Sequence, residues 1–106
     1  MTVFNSPVEI DGRCAKEMAG KGARLIWVLG RIDSQRQAML LEISDKIYSV
    51  YFEDIVRSEE PERLVGKAPV FVCEHGITSL FVANRLRGKG IEAYSLGGGI
   101  EGLFKW

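Results

Sequence analysis

Two short apolar runs constrain this chain most: Leu25-Ile26-Trp27-Val28-Leu29 and Val70-Phe71-Val72-Cys73. The first lies between Arg24 and Gly30, the second between Ala68-Pro69 and Gly76. A run of four or five apolar residues with no polar alternation reads as a strand buried on both faces. Such strands belong to parallel sheets, because only crossover connections supply helices to cover both sides.

The segments between these runs supply the crossovers. Val8 to Ile10 is short and β-prone. Asp11 is placed to cap a helix over Gly12 to Ala19, ended by Gly20 and Gly22, with Cys14 and Met18 four apart on one apolar face. Asp33 or Ser34 caps a second helix over Gln35 to Leu41, and Ser44-Asp45 makes a turn. Lys46 to Phe52 is β-branched and aromatic and reads as a strand. Glu53 to Leu64 reads as one or two short helices broken near Pro61, its five acids forming a solvated face. Ser79 to Arg87 carries apolar residues at helical spacing and stops at Gly88 and Gly90. Ile91 to Leu96 is a further strand, Gly97-Gly98-Gly99 a tight turn, and Ile100 to Trp106 a terminal helix. Strands alternating with helices give an α/β sandwich around a central, mostly parallel sheet with helices on both faces.

Length and charge narrow the function. The 106 residues amount to a single domain, 1–106, with 46% apolar and 26% charged residues. Fourteen basic residues balance fourteen acidic ones, so no general field draws the chain to nucleic acid or to an anionic membrane. No apolar run approaches the ~20 residues of a membrane helix, and the first residues lack the pattern of an export leader. A cytoplasmic location with free thiols is therefore expected. Two cysteines, no C-x-x-C pair and a single histidine exclude a disulfide scaffold and a structural zinc site, and nothing calls for a cofactor.

The segment Cys73-Glu74-His75-Gly76-Ile77-Thr78-Ser79 is where chemistry concentrates. It follows a buried strand and precedes a helix. A turn of this kind aims backbone N–H groups and the positive end of the helix dipole at one point. A thiol there is favoured as thiolate, the nucleophilic form. Gly76 permits a left-handed turn, while Thr78 and Ser79 are placed to cap the helix or to offer hydroxyls. The plainer reading of Cys73 is a small core residue ending a strand. The glycine, two hydroxyls and the one histidine within six positions favour the reactive reading, whereas Cys14 reads as structural. Glu74 reads as a solvated loop carboxylate, and His75 as either a water-binding residue or an acid–base group. Arg24, Arg31 and Arg36 read as scattered solvated charge, and Trp27 as core. A cysteine phosphatase would need an arginine six positions after the cysteine. Ser79 stands there, and the next arginine downstream is Arg85.

From Pro69 to Trp106 the chain resembles the C-terminal half of a rhodanese-like, or sulfurtransferase, domain. The family's C-x-x-G-x-[ST/R] loop reads C-E-H-G-I-T here, followed by a helix with Ala83 and Leu86. K-G-I-E-A-Y-S comes next, and the L-x-G-G motif stands as L-G-G-G-I-E-G-L-F-K-W. The N-terminal half departs from the pattern. L-I-W-V-L replaces the common L-I-D-V-R, so Trp27 and Leu29 occupy the aspartate and arginine positions. E-I-S-D-K-I replaces G-H-I-P-G-A, and the aromatic after L-x-G-G falls on Leu103, with Trp106 three residues on.

The resemblance implies a three-layer rhodanese-like sandwich and a sulfurtransferase. Cys73 would carry a persulfide stabilised by loop N–H groups from Glu74 to Ser79, and pass its outer sulfur to cyanide, a thiol or a protein acceptor. Donors would be small sulfane compounds or protein persulfides. The acidic Glu74 beside the cysteine predicts weak use of thiosulfate. Two other readings share the motif: a non-catalytic binding or regulatory module, and a redox-sensing thiol.

Overall fold

The computed structural model of the chain describes residues 6–103. Five strands form one sheet in the order β1-β5-β4-β2-β3. They are β1 (Glu9–Ile10), β2 (Leu25–Trp27), β3 (Ile47–Ser49), β4 (Val70–Val72) and β5 (Tyr94–Leu96), and every neighbouring pair is parallel. Six helices connect and follow them: α1 (Gly12–Gly20), α2 (Ser34–Leu40), α3 (Phe52–Arg57), α4 (Glu62–Val65), α5 (Ile77–Gly88) and α6 (Gly99–Gly102). Among the described residues no helix is long and apolar enough to cross a membrane.

The apolar runs build both cores by strict alternation. Ile26, Val28, Phe71 and Cys73 point to one face, against Ile55 of α3, Val65 of α4 and Val82, Ala83 and Leu86 of α5. Leu25, Trp27, Val70 and Val72 point to the other, against Ala15 of α1, Leu40 of α2 and Ile100 of α6. The result is the expected helix–sheet–helix sandwich, with Trp27 in the core.

The starts of α1 and α2 follow the expected caps. Asp11 Oδ1 accepts from the Cys14 N–H at 2.8 Å, and Asp33 Oδ1 accepts from the Arg36 N–H at the same distance. The break between α3 and α4 falls at Ser58–Pro61.

Several boundaries differ from the sequence reading, most at β3, β5 and the terminal helix. The strand expected over Lys46 to Phe52 is only Ile47–Ser49. Its end bends over β2, the Phe52 N–H donating to Val28 O, and Phe52 opens α3. Aromatic β-propensity overstates the strand because β3 lies at the sheet edge, where tertiary packing decides. The strand expected over Ile91 to Leu96 begins at Tyr94, because the Ile91 N–H closes the end of α5 on Leu86 O. The terminal helix expected over Ile100 to Trp106 is observed as α6, and Phe104, Lys105 and Trp106 lie outside the described residues.

Chain order places the site. From β2 the chain passes through α2 to β3 on one side, and from β4 through α5 to β5 on the other. The adjacent strands β2 and β4 thus lead away in opposite directions. Open α/β sheets bind ligands outside the carboxyl ends of such a strand pair. Cys73 is the first residue beyond β4.

Candidate active site

Cys73 is 3% exposed, and its sulfur is hydrogen-bonded rather than sealed in hydrocarbon. Sγ accepts from the Gly76 N–H at 3.1 Å and from the Ser79 N–H at 3.3 Å. Its thiol donates to Ser79 Oγ at 3.3 Å, and Ser79 Oγ lies 2.7 Å from Ser95 Oγ.

Helix α5 starts at Ile77, two residues earlier than the sequence reading placed it, with Gly76 before it at φ 86°. Of the two roles expected of Thr78 and Ser79, neither side chain caps the helix, and the Ser79 hydroxyl instead faces the cysteine sulfur. That early start puts Ser79 at the third helical position, the one whose N–H an N-cap side chain normally satisfies. Cys73 Sγ takes the role of that acceptor. Negative charge on the sulfur therefore meets one helix-terminal N–H, one loop N–H and the dipole of a helix twelve residues long. The other N–H groups of the segment from Glu74 to Ser79 do not reach the sulfur.

The triple glycine holds the loop from behind. The Ile100 N–H donates to Cys73 O at 2.9 Å, and the Glu101 N–H to Glu74 O at 3.4 Å. The loop carbonyls are thereby drawn to α6, which leaves the N–H groups to face the sulfur. A side chain at Gly76 would come within 2.9 Å of Gly98 N, and one at Gly99 would collide with the carbonyls of Cys73 and Glu74. Turn and cysteine loop thus pack backbone on backbone.

The rim is charged. Glu74 is not a lone solvated carboxylate: it pairs with the Arg36 guanidinium, whose Nη1 lies 2.5 Å from Asp33 Oδ2. Hydrogen bonds from the backbone and then the side chain of Arg36 hold Asp33 below the ordinary carboxylate pKa. The side chain of Asp33 in turn raises that of Arg36. His75 faces carboxylates, its Nδ1 3.2 Å from Glu101 Oε2 and its Nε2 4.0 Å from Glu74 Oε2, and makes no hydrogen bond to the sulfur. An acid–base role at the thiol finds no support in that placement. Ile77, 76% exposed, and Phe81, 50% exposed, lie one turn apart on α5 and leave apolar surface beside the loop.

The arginines do not form a scatter of equivalents. Arg24 precedes β2 at the opposite end of the sheet, its guanidinium carbon 4.8 Å from the centre of the Tyr48 ring, whereas Arg36 joins the rim. Cys14 is half-buried on α1, away from this loop. Sequence reasoning named Arg36 but took it for solvated charge, and it missed Ser95. The signal for Arg36 was the Asp33 cap, which sets the first turn of α2 beside the carboxyl end of β2. The signal for Ser95 was alternation: with Tyr94 and Leu96 in one core, Ser95 must face the other, toward α5.

No protein-family model matches the chain, and no curated protein does. Solved structures do. A rhodanese homolog from the extremely thermophilic bacterium Thermus thermophilus superposes with a TM-score of 0.64 at 20% identity, over 90% of this chain and 99% of that one. A rhodanese-related protein from Thermoplasma volcanium superposes with a TM-score of 0.63 at 14% identity, over 93% of this chain and 92% of that one. With its all-parallel five-stranded sheet, two flanking helical layers and a cysteine loop at the strand ends, the chain has the rhodanese-like fold.

Proposed function

We propose that the chain is a sulfurtransferase that carries sulfane sulfur on Cys73. The observation that carries the reading is the sulfur's setting, with two N–H donors and a hydroxyl around an atom at the start of a long helix. In the first half-reaction the Cys73 thiolate attacks the outer sulfur of a donor. The donor's S–S bond breaks, its inner sulfur leaves with the electron pair, and Cys73 becomes a persulfide. In the second, cyanide or an acceptor thiolate attacks the terminal sulfur. The Cys73 S–S bond then breaks and the thiolate returns. Preorganised donors around the sulfur lower the cost of charge in both halves.

The test is intact-mass spectrometry of the protein incubated with a persulfide donor, then with cyanide. One added sulfur is expected, mapping to the peptide of Cys73 rather than that of Cys14, and lost to cyanide as thiocyanate. Persistent absence of the added sulfur, with an intact thiol, would overturn the reading in favour of a binding module. Oxidation of Cys73 to a sulfenic acid without sulfur loading would favour a redox sensor.

The rim supports uncharged or protein-borne donors over thiosulfate. Asp33, Glu74 and Glu101 place three carboxylates there, two of them on the guanidinium of Arg36. Asp33 and Glu74 share one guanidinium and so leave one net negative charge, and a dianion ~6 Å from it meets several kcal/mol of repulsion at an effective dielectric near 20, cut to roughly 1 kcal/mol by solvent at this exposure. Glu74→Gln also frees Arg36 to face an incoming anion. Thiosulfate-dependent thiocyanate formation should therefore rise about 3–10-fold in that variant, with little change for an uncharged persulfide donor. Equal change for both donors would show that charge does not select between them. The exposed Ile77 and Phe81 give a protein donor or acceptor apolar surface to meet.

A further inference from the structure

Ser79 and Ser95 are the buried polar side chains among the described residues, each fully inaccessible to solvent. They come from different elements, α5 and β5, and meet at 2.7 Å directly behind the reactive sulfur. We propose that Ser95 is a positioning residue that acts on the Cys73 thiolate through the hydroxyl of Ser79. The inference rests on Cys73 as the reacting sulfur, as the proposed function does, but not on sulfur transfer itself.

The donors around the sulfur differ between its two protonation states. With Cys73 as thiol, its S–H donates to Ser79 Oγ; either serine can be the donor of the 2.7 Å hydrogen bond between them, and in the proposed thiol state it is Ser79 that donates to Ser95 Oγ. When the proton leaves to water, that first hydrogen bond loses its donor. The Ser79 O–H can then turn to the sulfur, provided another donor satisfies its oxygen. Ser95 is that donor: its O–H points to Ser79 Oγ and the chain of hydroxyls reverses without movement of a heavy atom. A hydroxyl that both accepts and donates is a stronger donor than one that only donates, and the effect grows where water is excluded. The two N–H donors are fixed and serve either state. The hydroxyl pair alone adapts to ionisation.

The charged groups around the sulfur act from the rim. They are Glu74 with Arg36 of α2 and its N-cap Asp33, and His75 with Glu101 of α6. Helix α5 carries no acid in its first turn, and Glu53 of α3 pairs with Arg57. Ser95 lies on the opposite, inner side, so its replacement leaves these groups in place.

The experiment measures alkylation of Cys73 by iodoacetamide from pH 6 to 10 in a Cys14→Ala background, where one thiol reacts. Ser95→Ala is expected to slow alkylation about 3–10-fold near neutrality, the loss closing as alkali ionises the thiol in both proteins. Ser95→Thr, which keeps the hydroxyl, is expected to react within about twofold of the parent. In a Ser79→Ala background, Ser95→Ala should change nothing further, because the intermediary is gone. An unchanged rate in Ser95→Ala, a slowing that persists undiminished at pH 10, or a folded Ser95→Thr as slow as Ser95→Ala would overturn the proposal. If Ser95→Ala does not fold, the decisive pair is Ser79→Ala against Ser79→Ala/Ser95→Ala, where both hydroxyls are gone and neither is orphaned. Any slowing by the second substitution there overturns it. Because alkylation reads the thiol alone, a protein that alkylates readily but takes up no sulfur defeats the sulfurtransferase reading and not this one.

Discussion

Cys73→Ser is expected to abolish sulfur loading and cyanide-dependent turnover while the protein remains folded. Cys14→Ala, changed on another helix face, should retain both. A serine oxygen at position 73 keeps an acceptor for the Gly76 and Ser79 N–H groups, so the start of α5 stays satisfied. It cannot take up sulfur, because a hydroxyl at neutral pH neither attacks a sulfane sulfur nor forms a persulfide. Cys73→Ala isolates the structural role of the sulfur. It removes the acceptor as well, leaving two buried donors without a partner at about 1–3 kcal/mol each. The alanine variant should therefore melt well below the serine variant, by about 5 °C or more for a chain of this size. Equal melting temperatures would mean that the sulfur is not the acceptor for α5. Residual loading in Cys73→Ser, lost only with Cys14, would move the chemistry to the other cysteine and defeat the assignment.

What the sequence made legible follows from how far each signal reaches. The β2 and β4 runs were readable because every side chain in them is buried, so composition alone marks them. The helix caps at Asp11 and Asp33 were readable because a cap is a contact over three residues. The cysteine loop was readable through its residue types, and its turn through Gly76. The start of α5 was misplaced because Thr78 and Ser79 look like caps, and nothing local says that a cysteine four residues before Ile77 fills that role. Arg36 and Ser95 lay further out of reach. The first meets Glu74 across 38 positions and the second meets Ser79 across 16, and both contacts depend on which strands are neighbours. A likeness between Pro69 and Trp106 carried the fold further than any periodicity in the N-terminal half, where Trp27 and Leu29 break the family pattern and still pack as core or core-flanking residues.

Gly99→Ala should strongly disrupt the fold around the cysteine loop. Gly99 has φ 63°, where a side chain already strains the backbone. The larger cost is contact: its Cβ would sit on the carbonyls of Cys73 and Glu74, which are backbone and cannot swing aside. Relief requires the Gly97–Gly99 turn to separate from the cysteine loop. Separation breaks the hydrogen bonds from Ile100 to Cys73 O and from Glu101 to Glu74 O. The expected loss is about 3–5 kcal/mol, or roughly 15 °C or more in melting temperature. Gly88→Ala is the control, since a Cβ there meets nothing within 4 Å and its φ lies outside the positive range. That variant should be neutral or more stable by up to about 1 kcal/mol. If Gly99→Ala folds at all, Cys73 alkylation should slow as well, because carbonyls released from α6 no longer hold the loop N–H groups toward the sulfur. A Gly99→Ala protein that melts with Gly88→Ala and alkylates like the parent would show that the turn is not what shapes the loop, and the anion-holding geometry at Cys73 would need another support.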